Sequence, residues 1–221
     1  MREIILDTET TGLSVKEGHR IVEIGCIELE NLIPTQNKLH FYLNPGRKVS
    51  QKALEVHGYT DKFLSDKKKF SEIVNVFLAF IEGKRLVIHN AEFDIAHLNN
   101  ELSICKKGKI NNEIIDTLAL AREKFPGSSA SLDALCKRYR IDNSKRAKHT
   151  AVIDCDLLAK VYVNLLDQKE PKLNFQNQDL DINKENISNI LYYKKVIKPS
   201  KNELEQHSKF LKNSLKKNFF S

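Results

Sequence analysis

The sequence predicts a mixed α/β fold in which a five-stranded sheet is flanked by helices. Two observations carry this prediction. Near the start of the chain, three apolar or alternating segments are joined by short loops, which indicates an antiparallel meander. Farther along, two more apolar segments alternate with stretches of helical periodicity, which indicates added strands and the helices that cover them.

The predicted strands begin with Ile4-Ile5-Leu6, an apolar segment that leads directly into D-T-E-T-T-G. Segment 21–30 alternates with period two over much of its length, and segment 39–43 is closed by Asn-Pro-Gly. The remaining predicted strands lie at 85–90 and 114–117. Helices are predicted at 70–82, where five apolar residues share one stripe, and at 92–104, 117–124, 131–139 and 150–167.

The composition is that of a globular protein. Hydrophobic residues make up 41% of the 221 residues and charged residues 29%, which excludes a mainly disordered chain. The four cysteines include no Cys-x-x-Cys pair, which argues against a structural zinc site. Because no apolar segment is long enough to span a bilayer and the N-terminus does not resemble a signal peptide, we expect a cytoplasmic protein.

The positive charge is concentrated at the end of the chain. The formal net charge is +7, and residues 171–221 hold ten lysines against five acidic residues. An excess of positive charge is suited to an anionic partner. We therefore expect residues 1–168 to form the folded domain and residues 169–221 to form a flexible basic tail.

Two carboxylates follow the first predicted strand. Strand side chains alternate, so Asp7 and Glu9 share one face at its end. Two adjacent carboxylates repel each other unless a cation lies between them, and oxygen ligands favour Mg²⁺ or Mn²⁺. On the pair alone, a solvated strand end with incidental acids explains the pattern equally well.

Two further acidic positions extend the pattern. Asp94 falls in the first turn of a predicted helix, where an acid also interacts favourably with the helix dipole. Asp154 shares a helical face with Leu158, Val161 and Leu165, so we expect it to point inward, a costly arrangement without a metal or a hydrogen bond. With His149 beside it as a general base, the four carboxylates could hold two divalent ions for phosphoryl transfer.

Three segments together resemble the motifs of the DEDDh class of 3′–5′ exonucleases: D-T-E-T-T-G at 7–12, H-N-A-E-F-D at 89–94 and H-x4-D at 149–154. Segments 17–25, 56–61 and 131–146 look like the proofreading epsilon-subunit family of bacterial DNA polymerase III. The likeness runs from about residue 2 to about residue 167. It implies an RNase H-like fold and removal of mispaired 3′-terminal nucleotides from DNA.

The resemblance also implies roles for individual residues. Asp7, Glu9, Asp94 and Asp154 match the metal-binding carboxylates, with Mg²⁺ or Mn²⁺ as the two ions, and His149 matches the general base. The implied substrate-binding residues are Asp7, Glu9, Thr10, Lys52, Val56, His57 and Asp154. Lys52 departs from the family, because close relatives carry an acidic residue there.

The family joins its nuclease domain to the polymerase through the C-terminal segment. The implied partners are the 3′ end of a DNA primer, the polymerase III alpha subunit through the tail, and a theta-like subunit, within a cytoplasmic replisome and with no membrane. Segment 170–175 resembles a sliding-clamp-binding peptide, with Glu170 in place of the usual Gln. Apolar spacing also predicts short amphipathic helices in the tail, one of them around Leu204 and Leu211.

Other functions fit parts of the sequence. An RNA-trimming DEDDh exonuclease of the oligoribonuclease type shares the carboxylates and the histidine, and RNA preference would distinguish it. An inactive nuclease fold that tethers proteins, or a DNA-binding scaffold built on the basic tail, would bind without cleaving. Away from the motifs, His19 is expected at the surface, and His97 could support Asp94 from one helical turn away.

Overall fold

The computed structural model describes residues 1–144, 146, 148–167 and 198–214. Its strands are β1 (Arg2–Thr10), β2 (Ile21–Glu30), β3 (Ile33–Tyr42), β4 (Arg85–Ile88) and β5 (Ile114–Asp116). Its helices are α1 (Gln51–His57), α2 (Asp61–Leu64), α3 (Phe70–Ile81), α4 (Ala91–Ile104), α5 (Thr117–Lys124), α6 (Leu132–Tyr139), α7 (Ala151–Leu165) and α8 (Lys201–Ser214). A 3₁₀ turn covers Val15–Glu17.

The strands form one sheet in the order β3-β2-β1-β4-β5. β1 pairs antiparallel with β2, and β2 with β3, as the predicted meander requires. β4 joins β1 in parallel and β5 joins β4 in parallel, each preceded by a helix. The predicted mixed five-stranded sheet flanked by helices is therefore confirmed, and β1 lies at its centre.

Alternation along β1 divides the core into two layers. Ile4 and Leu6 pack with α3 and α4 on one face of the sheet. Ile5 packs with α6 and α7 on the other face. Side chains at odd positions of β1 therefore face α7 and those at even positions face α4, which decides the direction of every side chain in the D-T-E-T segment.

Helix α7 lies directly against the sheet at Gly25 of β2. A Cβ atom added to Gly25 would lie 2.7 Å from the backbone carbon of Ala151 and 2.8 Å from its oxygen. Contacts this short are excluded, so the absence of a side chain allows the first turn of α7 to approach. Cys155, one turn later, packs over the same strand, with its Sγ 3.3 Å from the carbonyl oxygen of Gly25.

The predicted elements differ from the structure most at β3 and at helices α1 and α2. β3 begins at Ile33 rather than at residue 39, because its first half is an exposed edge segment without an apolar signal. Helices α1 and α2 are too short for periodicity to detect and were not predicted. The predicted helix around Leu204 is present as α8, whereas residues 168–197, including the clamp-like segment 170–175, lie outside the described residues.

Candidate active site

Strand β1 directs Asp7 and Glu9 toward α7 and Thr8 toward α4. The register supports this assignment, since Asp7 pairs with Gly25 and Glu9 with Glu23, and Gly25 lies under the first turn of α7. Thr8 points to the opposite face of the sheet, where it donates hydrogen bonds to Asp94. One segment of alternating backbone therefore supplies two acids to one side of the sheet and a hydrogen-bond donor to the other.

Asp94 is positioned by Thr8 from the start of α4. The Thr8 backbone N–H donates to its Oδ1 at 3.0 Å and the Thr8 hydroxyl at 2.6 Å. The chain enters α4 through Asn90 in the left-handed conformation, with φ of 67°, and Asn90 donates its N–H to Asp116 at 3.0 Å. Asp94 is 3% exposed, so it lies inside the protein rather than at a solvated helix end.

Asp154 points inward from α7, as its helical face predicts. It is 3% exposed, and Leu158, Val161 and Leu165 on the same face are also buried. The helix begins at Thr150, whose side chain accepts a hydrogen bond from the N–H of Ile153. This cap fixes the first turn and with it the position of Asp154.

Glu9, His149 and Asp154 meet at the C-terminal end of the central strand β1. One ligand atom from each lies within 4.8 Å of the other two, a spacing that a single metal ion can bridge. His149 Nδ1 lies 3.3 Å from Asp154 Oδ2, and the histidine side chain is 44% exposed. The backbone N–H of His149 donates to the carbonyl of Val56 at 3.3 Å, which ties this loop to α1.

The four carboxylates repel one another strongly. Burial, followed by the charges of Asp94 and Glu9, raises the pKa of Asp7 well above its ordinary value. Burial and the charges of Asp154 and Glu23 raise the pKa of Glu9 to about 8. Burial also raises the pKa of Asp94 to about 7, even though the Thr8 hydrogen bonds act in the opposite direction. Such a cluster of oxygen donors is suited to divalent cations.

Asp154 behaves differently because it has a cationic partner. Burial alone would raise its pKa, but its contacts with His149 and Arg146 outweigh burial and lower it. Arg146 Nε donates to Oδ1 at 2.6 Å and Nη2 to Oδ2 at 2.8 Å. The sequence analysis missed this arginine, because it lies in a basic segment that is typical of a solvated surface.

A cavity of about 520 Å³ opens beside Glu9. Thr10, Lys52, Val56 and His57, all predicted substrate residues, line it. Its apolar wall also includes Leu13, Ala53 and Phe93, which the sequence analysis did not identify. Val56 is 44% exposed and Leu13 81%, so both present apolar surface to whatever occupies the cavity.

Both ring nitrogens of His57 form hydrogen bonds within the protein. Its Nδ1 accepts the N–H of Tyr59 at 2.9 Å, so its Nε2 carries the proton that is donated to the carbonyl of Thr10 at 3.2 Å. Burial lowers its pKa, which keeps the ring neutral. The ring stacks on Tyr59 with centroids 4.8 Å apart. His57 therefore contributes ring surface to the cavity rather than a free nitrogen.

Glu23 is a second residue that the sequence analysis missed. Its side chain is fully buried, and its carboxylate contacts Nε2 of His40 at 2.7 Å, the hydroxyl of Tyr59 at 2.8 Å and the N–H of Ala151 at 3.0 Å. These contacts connect the cavity wall to the first turn of α7. The available signal was an acidic residue at an inward position of an otherwise apolar strand.

His19 and His97 are both buried close to the cavity. His19 was expected at the surface, which is wrong: it is 9% exposed and its Nδ1 lies 3.0 Å from the hydroxyl of Thr11, under Gly12, which has no side chain to block the ring. His97 is buried against Phe93, with ring centroids 4.7 Å apart, and its Nε2 lies 3.3 Å from the carbonyl of Leu13. It therefore supports the cavity wall.

Comparison with known proteins places this chain in a family. The sequence profile of the exonuclease family matches residues 4–162. A Rickettsia felis protein named DNA polymerase III subunit epsilon is 46% identical over 98% of this chain and 98% of its own length. The chain belongs to the DNA polymerase III epsilon-subunit family. A Salmonella typhimurium epsilon subunit is 49% identical over 73% of this chain and 70% of its own length.

Solved structures agree with the epsilon-subunit fold. Exonuclease X in complex with 5′ overhanging duplex DNA has a TM-score of 0.59 and 25% identity, covering 75% of this chain and 92% of that one. The nuclease domain of 3′hExo, a DEDDh family member, has a TM-score of 0.66 and 17% identity, covering 76% and 92%. Among the described residues, no helix of this epsilon-family chain is long and apolar enough to cross a membrane.

Proposed function

We propose that this chain is a metal-dependent 3′–5′ exodeoxyribonuclease that removes mispaired 3′-terminal nucleotides within a bacterial DNA polymerase III. The observation that carries the proposal is the meeting of Glu9, His149 and Asp154, together with the cavity with apolar walls that Glu9 also lines. Exonuclease family membership and relatives named subunit epsilon support it.

The proposed metal ligands are Asp7, Glu9, Asp94 and Asp154, and the proposed ions are two Mg²⁺ or Mn²⁺. The donor set supports this assignment, because carboxylate oxygens are the preferred ligands of both ions and the four carboxylates are buried close together, which raises the pKa values of Glu9 and Asp94. When bound, such ions supply an activated water and stabilise the leaving 3′ oxygen.

The chain's own residues supply the rest of the reaction. His149 is the proposed general base, since its imidazole lies beside the carboxylates and is partly open to solvent. Apolar contacts from Val56, and the ring surface of His57, would hold the terminal base in the cavity. Thr10 and Lys52 also line the cavity, and Lys52 brings a positive charge to a position where the family carries an acid.

A degradation assay with Mg²⁺ tests the activity. A 5′-labelled DNA primer with a mispaired 3′ end is compared with the paired primer and with RNA of the same sequence. We expect faster removal of the mispaired DNA end, because an unpaired terminal nucleotide reaches the cavity without the cost of melting. Preferential trimming of RNA would instead assign the chain to the oligoribonuclease type.

We further propose that residues 1–168 are the nuclease domain and that residues 169–221 bind the polymerase alpha subunit, with segment 170–175 contacting the sliding clamp. A theta-like subunit and a place in the cytoplasmic replisome belong to the same proposal. The excess of lysine in this tail and its predicted amphipathic segments support a binding role.

Deletion of residues 169–221 tests this division. Nuclease activity on the mispaired primer should stay within about twofold of that of the full chain, because every proposed catalytic residue lies before residue 168. Binding to the purified alpha subunit, measured by size-exclusion chromatography, should be lost. Co-elution of the shortened chain with alpha would contradict the assignment of the tail.

A further inference from the structure

Arg146 lies where the proposed metal ions need to bind. Its guanidinium makes two hydrogen bonds to Asp154, from Nε to Oδ1 and from Nη2 to Oδ2, so it occupies both carboxylate oxygens. The arginine side chain is only 7% exposed. Paired bonds of this geometry are among the strongest that a protein makes to a carboxylate. A metal ion that takes an oxygen of Asp154 has to compete with them.

The same guanidinium restrains the proposed general base. Nη2 of Arg146 lies 2.8 Å from Nδ1 of His149. A guanidinium has only donors, so Nδ1 must accept, and in the neutral ring the proton is then on Nε2. A neutral imidazole has one basic nitrogen, and here that nitrogen faces Arg146. His149 is therefore unavailable to take a proton from water while the contact lasts.

Arg146 also has a place to remain when Asp154 is taken by metal. Its Nη1 lies 2.7 Å from Oδ2 of Asp133, whose side chain is 56% exposed at the start of α6. Asp133 Oδ1 also accepts a hydrogen bond from Asn143 at 3.0 Å, which orients the carboxylate. The guanidinium thus bridges the buried carboxylate of Asp154 and the exposed carboxylate of Asp133. It can give up its hydrogen bonds to Asp154 and still keep its ion pair with Asp133.

We propose that Arg146 is an internal counter-ion that occupies Asp154 and His149 in the metal-free protein, and that divalent metal displaces its guanidinium toward Asp133. The inference rests on the proposed metal site. It makes Arg146 a positioning residue: without metal it compensates the charge of Asp154, and with metal it releases His149. Apparent metal affinity is then reduced by the competition.

Calorimetric titration of the full chain with Mn²⁺, without DNA, tests the competition. Arg146→Lys keeps the charge but loses the paired geometry, and Arg146→Gln loses both. We expect both variants to bind Mn²⁺ about tenfold more tightly than the wild type, the scale of one strong charge-assisted contact. Arg122→Gln, which removes an exposed arginine on α5, controls for net charge and should bind as the wild type does.

Each other outcome contradicts the proposal in a distinct way. Tighter binding by Arg146→Gln alone would mean that general charge, not direct competition, matters. Weaker binding by both variants would make Arg146 a supporting residue. No Mn²⁺ binding by the wild type would remove the metal site, and with it both the proposed function and this inference.

A second measurement uses the wild type and so does not depend on how the variants fold. The Nε–H signal of Arg146 is followed by nuclear magnetic resonance, first with a chelator and then during titration with Mg²⁺. We expect a saturable shift and faster exchange with water as the bond to Asp154 breaks. An unchanged Arg146 signal at a Mg²⁺ concentration that saturates the site would overturn the proposal.

Discussion

Replacing Asp7 with Asn together with Glu9 with Gln is expected to abolish nuclease activity and to stabilise the metal-free protein. The substitutions keep the side-chain volumes and remove two charges from a buried cluster. Activity on the mispaired primer should fall by at least about three orders of magnitude, because several kcal/mol of metal-based stabilisation is lost. The unfolding temperature in a chelator should rise, since neighbouring carboxylates no longer repel.

The pH dependence of stability distinguishes relief of carboxylate repulsion in the double variant from a general change in its folding. In the folded metal-free protein the pKa of Glu9 is raised from 4.5 to about 8 and that of Asp94 from 3.8 to about 7. The folded state therefore binds more protons than the unfolded state between about pH 4 and pH 8, and stability falls as pH rises through that window. The double variant should lose the part of this slope that Asp7 and Glu9 contribute and keep the part due to Asp94, whereas saturating Mg²⁺ should remove most of it from the wild type.

A matched control removes two carboxylates from elsewhere. Asp156→Asn with Glu113→Gln changes the charge by the same amount, at side chains that are 46% and 66% exposed. Surface ion pairs contribute little to stability, so this variant should keep its activity and the wild-type pH slope. Retained activity in the Asp7→Asn, Glu9→Gln variant would eliminate the metal assignment.

Replacing Glu23 with Ala is expected to be the most destabilising single change near the site. The Ala variant leaves three groups without their acceptor, the partly exposed His40 and Tyr59 and the buried N–H of Ala151. We expect the free energy of unfolding to fall by about 1–3 kcal/mol, the usual cost of leaving a buried donor without its acceptor. Urea unfolding with Mg²⁺ present measures it.

Two comparisons make the Glu23 result specific. Glu23→Gln should be milder, because the amide oxygen can still accept from Ala151 and Tyr59 while its nitrogen donates to a neutral His40. Glu30→Ala, at the exposed end of the same strand, should change stability by less than about 1 kcal/mol. If Glu23→Ala is no worse than Glu30→Ala, the contact with Ala151 does not hold α7 in place.

The sequence predicted the parts of the fold that have a periodic apolar signal. The central strand β1, the alternating β2 and the long face of α7 carry that signal, and Asp154 was correctly placed inward because its helical neighbours are apolar. The exposed first half of β3 and the short α1 lack it. Hydrophobic periodicity indicates which face of a helix or strand is buried. An element with little buried surface therefore lacks a periodic pattern by which it could be predicted.

The candidate site was predictable only where acidic residues interrupt apolar patterns. Glu23 was missed because its role depends on a partner far along the chain, since it accepts the N–H of Ala151 across 128 positions of sequence. Lysine and arginine in a basic segment are usually solvated, and nothing local distinguishes Arg146 from its neighbours. Local sequence was enough to propose the ligands, whereas the groups that position them required the fold.

The close approach of α7 to Gly25 has a consequence at the level of the genome. Every other amino acid carries a Cβ atom, and that atom would meet the backbone of Ala151. Any substitution at residue 25 would push away the helix that carries Asp154 without altering a single catalytic group. Under the proposed function, displacement of Asp154 would weaken the removal of mispaired nucleotides, so more copying errors would persist in the DNA. The absence of a side chain at residue 25 would thus help to keep the mutation rate low in every gene of the genome.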